Sequence, residues 1–183
     1  MKIINTRSDF FKGKDSLVIV ELGVFDGEFS KQIMVECKPQ LFFLVDKWDG
    51  DCFSADTDML LWMTHGDMNV VYFNVLKHFQ HNTNVLVVKY DSVKFFELIP
   101  ANYVDIVYID TTHAYEQTKN ELNAALPKVK TGGYICGHDY FDEEKNTGCI
   151  GVKQAVTEFC KENNLEIEYL ANDITKSFFI QKR

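Results

Sequence analysis

Five short apolar runs constrain this chain more than any other feature, because none shows the in–out alternation of a half-exposed strand and each is separated from the next by a stretch with helical spacing. They are LVIVELG at 17–23, LFFLVD at 41–46, NVLVVKY at 84–90, DIVYID at 105–110 and GGYICGHD at 132–139. A strand that is apolar at successive positions is buried on both faces, the condition of a parallel sheet covered by helices. Between the runs lie EFSKQIMVEC, MNVVYFNVLKHF, SVKFFELI and AYEQTKNELNAAL. From the last of these, Tyr115, Thr118, Leu122, Ala125, Leu126 and Val129 recur at helical spacing. Strand and helix in alternation imply right-handed crossovers. After GVKQAVTEFCKENN, with its stripe Val152, Ala155, Val156 and Phe159, come LEIEYLA and KSFFIQ, joined only by NDIT, which predicts an antiparallel hairpin. The expected fold is α/β, a seven-stranded, mostly parallel sheet ending in that hairpin, with helices on both faces and one domain over residues 1–183.

In such sheets ligands bind at the carboxyl ends of the strands, so the residues that follow each run carry the functional weight. The first run leads into the turn GVFDG, where Gly23 and Gly27 allow tight turning and close approach of backbone to a ligand, ahead of helix N-terminal amides that suit an anionic group. The dinucleotide fingerprint needs glycine at 25 and 28, and this chain has Phe25 and Glu28, which counts against an NAD-dependent oxidoreductase. Asp46 closes the second run at the place where an acid binds ribose hydroxyls. The fourth run ends in Asp110, with His113 near the start of the next helix, and the fifth ends in His138 and Asp139. Taken singly, Asp110 is a helix cap and His113 a solvated residue. Taken together, two acids and two histidines converge if the strands are neighbours, and their oxygens suit a hard cation such as Mg²⁺ with an imidazole free to accept a proton.

The long stretches KWDGDCFSADTDMLLWMTHGD and YFDEEKNTGCI also leave strand ends and are the expected pocket walls. Trp48, Phe53, Trp62, Tyr140 and Phe141 in them face a sugar ring or pack as core, packing being the expectation for Trp62. Nineteen basic against 27 acidic residues, a formal charge of −8 with no basic run, argue against nucleic acid as partner. No segment is long and apolar enough for a membrane span and the opening residues lack a signal-peptide core, so a cytoplasmic protein is expected. The five cysteines read as free thiols, since Cys136, His138 and Cys149 match no usual zinc spacing.

ELGVFDG, LFFLVDKWDGD, YDS, YIDTTHAYEQTKNEL, GGYICGHDY and GVKQAV occur in that order. In this the chain resembles the class I S-adenosylmethionine-dependent methyltransferases with their Rossmann-like fold, and within them the metal-assisted small-molecule O-methyltransferases of the macrocin and mycinamicin type and their glycan-associated relatives. The resemblance implies transfer of a methyl group to a hydroxyl of a small acceptor, of sugar or glycan type. It implies that the turn through Glu21, Gly23, Val24, Phe25, Asp26 and Gly27 receives the methionine end of S-adenosylmethionine, that Asp46 holds the ribose, and that Asp91 and Ser92 lie by the adenine. Asp110 borders the cofactor and, with His138 and Asp139, matches the positions of metal ligands, Mg²⁺ being the expected ion; His113 matches the general base. The chain departs from the pattern in having one histidine and one acid where a carboxylate pair is often found. With the first run opening at residue 17, any N-terminal segment covering the substrate is expected to be minimal. A non-catalytic cofactor-binding subunit is the other reading, and homo-oligomerisation is left open.

Overall fold

Every apolar run becomes a strand in the computed structural model of the protein, which describes residues 1–49, 67–141 and 151–183. The strands are β1 (Lys2–Ile4), β2 (Val18–Leu22), β3 (Leu41–Asp46), β4 (Val85–Lys89), β5 (Val104–Ile109), β6 (Val129–Gly137), β7 (Ile167–Ala171) and β8 (Ser177–Gln181). They form one sheet in the order β1-β7-β8-β6-β5-β2-β3-β4. Only β8 runs antiparallel to its neighbours, which is the expected hairpin with β7. Among the described residues the sheet therefore has eight strands rather than seven. The additional one, β1, pairs in parallel with β7. Its three residues are too few to display a period, and two of them are exposed.

The helices are α1 (Glu28–Glu36), α2 (Met68–Phe79), α3 (Ser92–Phe95), α4 (Tyr115–Ala125) and α5 (Val152–Glu162). Successive side chains of the central strands go to opposite faces and feed two cores. Ile19, Phe42, Leu44, Ile106 and Tyr108 pack with Phe29 and Ile33 of α1, Val71, Val75 and Phe79 of α2, and Phe10 and Phe11 of an N-terminal 3-10 turn. Val20, Leu22, Val107 and Ile109 pack with Leu122 and Ala125 of α4 and Val152, Ala155, Val156 and Phe159 of α5. Complete burial of each large apolar side chain contributes roughly 1.5–3 kcal/mol, so both faces must be covered for the sheet to persist. Val129, although on the helical period of α4, opens β6 instead, because Pro127 directly follows the Leu126 C-cap and stops the helix.

From β2 the chain steps to β3 and β4 on one side, whereas β5 and β6 lie on the other. That reversal opens a crevice between the carboxyl ends of β2 and β5. Two hydrogen bonds carry the ladder just past the strand ends and fix its rim: Gly23 N–H to Val45 O at 2.9 Å and Asp110 N–H to Leu22 O at 2.8 Å.

Candidate active site

Gly23 forms the floor of the crevice. Its φ is +83°, and a Cβ built on it would lie 1.9 Å from the carbonyl oxygen of Asp110, so any side chain here would push β2 and β5 apart. The cleft above it is lined by Phe25, Asp46, Ser92, Asp110, Thr111 and Gln117 among others. Asp46 is half-buried, and its two oxygens accept the N–H groups of Phe25 and Trp48, both at 2.9 Å. Burial pushes its carboxyl up, against the pull of those bonds. Each oxygen keeps a lone pair for a further donor, which is what a ribose diol requires. Trp48 is core rather than pocket wall: it is 1% exposed and its indole N–H donates to Phe25 O at 2.8 Å.

Other residues of the turn sit behind this surface. Glu21 is buried and accepts a 2.6 Å hydrogen bond from the Ser30 hydroxyl, with burial raising its carboxyl to about 8. Val24 is buried, Asp26 accepts from the Glu28 N–H at 3.1 Å, and Gly27 is the left-handed residue that starts α1. Asp91 caps α3 through Val93 N–H and Lys94 N–H and meets Lys47 at 3.1 Å, while its neighbours Tyr90 and Ser92 line the cleft. Phe53, Trp62 and Cys149 lie outside the described residues, and Cys136 is buried in β6.

Adjacent strands β5 and β6 do deliver Asp110, His113, His138 and Asp139 to one place. His113 Nε2 is 3.2 Å from Asp110 Oδ1 and 3.1 Å from Asp139 Oδ2. His138 Nδ1 faces the same two oxygens, at 3.8 and 3.3 Å, while its Nε2 is 2.9 Å from the Thr175 hydroxyl. His113 lies before α4 rather than in its first turn, because the chain approaches the helix through an extended Ala114 and a left-handed His113 with φ 61°. Asp139 is likewise left-handed, with φ 58°. Two such residues facing each other across a site are a reservoir of backbone strain that the surrounding packing must sustain. Burial would raise the Asp110 carboxyl, but the His113 hydrogen bond and the charges of His138, His113 and Arg7 outweigh it and hold it at about 2.

Arg7 was not a sequence-level candidate. It comes from the N-terminal 3-10 turn, and its guanidinium donates to Asp110 Oδ2 at 2.9 Å while lying 3.9 Å from the centre of the Phe29 ring. Its own N–H is held by Asp173 at 2.8 Å. The T-x-x-D capping box at Thr6 and Asp9 was the available signal for a folded turn here. With Arg7 on Oδ2, Asp110 presents Oδ1 to the pair of histidines.

Oδ1 of Asp110, Nε2 of His113 and Oδ2 of Asp139 lie within 4.8 Å of one another. Ligands about 2.1 Å from an octahedral ion stand about 3.0 Å apart along an edge, so separations of 3.1 and 3.2 Å in a set with two carboxylate oxygens fit a hard divalent cation. Asp46 and Asp110 thus share one cleft, and Asp110 joins it to a cation-compatible cluster with His113 and Asp139.

A profile for a methyltransferase domain matches residues 20–140. An uncharacterized protein of Acanthamoeba polyphaga mimivirus is 31% identical over 134 residues, which are 70% of this chain and 54% of that protein. The chain thus spans about half the length of this curated relative. Among solved structures, Aeropyrum pernix fibrillarin with natively bound S-adenosyl-L-methionine superposes with a TM-score of 0.60 at 15% identity, over 93% of this chain and 67% of that one. A SAM-dependent methyltransferase from Aquifex aeolicus gives 0.65 at 13% identity, over 96% and 87%. The N-methyltransferase NodS from Bradyrhizobium japonicum gives 0.66 at 10% identity, over 96% and 92%. At these identities the likeness is one of fold.

Proposed function

The chain belongs to the methyltransferase-domain family and has the fold of class I S-adenosylmethionine-dependent methyltransferases, and from that premise we propose that it methylates a hydroxyl of a small molecule, of sugar or glycan type, with help from a divalent cation. One observation carries the reading: Asp110, which lines the cleft floored by Gly23, also gathers His113, His138 and Asp139 around it. A purely binding module has no use for two imidazoles turned toward the same two carboxylate oxygens.

When bound, S-adenosylmethionine supplies an electrophilic methyl group and the cation supplies positive charge that makes an acceptor hydroxyl more acidic. The chain does the rest. Asp46 would hold the ribose in the cleft that Gly23 and Asp110 line, and a cofactor so held would leave the chain the task of orienting the acceptor hydroxyl. Asp110 Oδ1, Asp139 Oδ2 and His138 Nδ1 would hold the cation. The Thr175 hydroxyl on the other nitrogen of His138 supports that role, because a ligating imidazole is normally oriented through its second nitrogen. His113 Nε2 takes the hydroxyl proton. The shorter distances of His113 to both carboxylates favour a second reading in which the two imidazoles exchange roles.

Calorimetry with S-adenosylhomocysteine, followed by Mg²⁺ on the loaded protein, tests the proposal. Asp46→Ala should weaken nucleoside binding at least about tenfold, the loss expected for hydrogen bonds to a charged group. Asp139→Asn should abolish Mg²⁺ binding and leave nucleoside binding within a few-fold. On an acceptor found by screening sugars, His113→Gln should slow the chemical step about 10²–10⁴-fold, and the same loss in His138→Gln with Mg²⁺ binding intact would exchange the roles. A folded wild type that binds no S-adenosylhomocysteine overturns the reading; one that binds it and turns over in excess EDTA removes the cation alone.

A further inference from the structure

Glu121 is fully buried on α4, a place where a glutamate on a surface helix is not expected. Three side chains enclose its carboxylate. Ser92 Oγ donates to Oε1 at 2.5 Å, Thr111 Oγ1 to Oε2 at 2.8 Å, and Gln117 Nε2 to Oε1 at 2.8 Å. A carboxylate only accepts, so each of these partners spends a proton on it. Gln117 gives its second amide hydrogen to Ser92 Oγ at 3.0 Å, which leaves its carbonyl end as the one that can meet a ligand. Ser92, Thr111 and Gln117 all line the cleft. The donor capacity of the three is turned inward, and what they offer outward is lone pairs.

On the reading that this cleft receives S-adenosylmethionine, we propose that Glu121 is a positioning residue for base recognition. By drawing the protons of Ser92, Thr111 and Gln117 to itself, it makes this wall an acceptor surface that selects a purine carrying an exocyclic amine over one carrying a carbonyl oxygen. An amine donates to such a wall. A 6-oxo group sets lone pairs against lone pairs and leaves polar atoms unmatched, an error that costs far more than a lost apolar contact.

The test compares S-adenosylhomocysteine with S-inosylhomocysteine, which differ in that one substituent, by calorimetry on the full chain. Wild type should prefer the amine by at least about tenfold, the consequence of one unmatched hydrogen bond. In Glu121→Gln the new amide must itself donate, so a hydroxyl of Ser92 or Thr111 turns to accept and points its proton into the cleft; the preference should narrow to within about threefold. A residue with only a structural role would weaken both nucleosides alike and leave their ratio unchanged. Should Glu121→Gln not fold, Ser92→Ala and Thr111→Val carry the test, each removing one acceptor and each expected to reduce the ratio. Equal wild-type affinity for both nucleosides, or an unchanged ratio in the folded variants, overturns the assignment of Glu121 and leaves the methyltransferase reading standing. No binding of either by folded wild type overturns both.

Discussion

Gly23 shows how little space separates the two halves of the sheet. Its left-handed backbone and the 1.9 Å approach of a virtual Cβ to the Asp110 carbonyl leave alanine no relaxed solution, since the obstacle is main chain held in the β2–β5 ladder. Gly23→Ala should lose about 2–4 kcal/mol in denaturant unfolding, with S-adenosylhomocysteine affinity falling alongside. A change under about 0.5 kcal/mol would mean that the strand ends can part without cost. At this scale the sequence was legible where residue type carries its own constraint. Gly23, Asp46 and Asp110 line the crevice, and His113, His138 and Asp139 gather around Asp110. Arg7 and Glu121 were not legible, because each depends on partners distant in sequence or on which helix face is buried, and neither residue type announces burial.

The N-terminal element is the part of the architecture that differs most from expectation. β1, an eighth strand, extends the sheet, and the 3-10 turn Arg7–Phe11 packs Phe10 and Phe11 into the core, stacking Phe10 on Phe179. The long apolar runs could be read because a buried strand and an amphipathic helix each repeat a pattern; a three-residue strand and a five-residue turn repeat nothing. Besides the pairing of β1 with β7, Arg7 ties this element to the site through its guanidinium on Asp110 and to the hairpin through its N–H on Asp173. Arg7→Met keeps the apolar stem against Phe29 and removes the charge. It should cost on the order of 1.5–3 kcal/mol in equilibrium unfolding, as expected for a mostly buried charge-assisted bond, and Asp173→Ala about 1–2 kcal/mol. If both variants unfold with wild-type midpoints, the element rests on its phenylalanines and the β1–β7 pairing.

For the molecule as a whole, two buried acids set opposite slopes on stability against pH. Asp110 titrates lower in the folded protein, at about 2 against an ordinary 3.8, so the stability it contributes is present above that ordinary value and is lost as pH falls toward 2. Glu21 titrates higher, at about 8 against 4.5, so between those values the folded state binds a proton that the unfolded state does not, and stability declines as pH rises through that window. One proton gives a slope of up to about 1.4 kcal/mol per pH unit. The prediction is a stability maximum at mildly acidic pH, measured by denaturant midpoints across the range, with the alkaline-side decline flattened in Glu21→Gln. An unchanged decline in that variant would assign it to other groups. A consequence in time also follows from the pairing of β1 with β7 and of Arg7 with Asp173. β1 precedes β7 by more than 160 residues of chain, so its strand pairing waits until the residues of β7 have been made. The central strands can pair before that, and the docking of β1 on β7 completes the edge of the sheet.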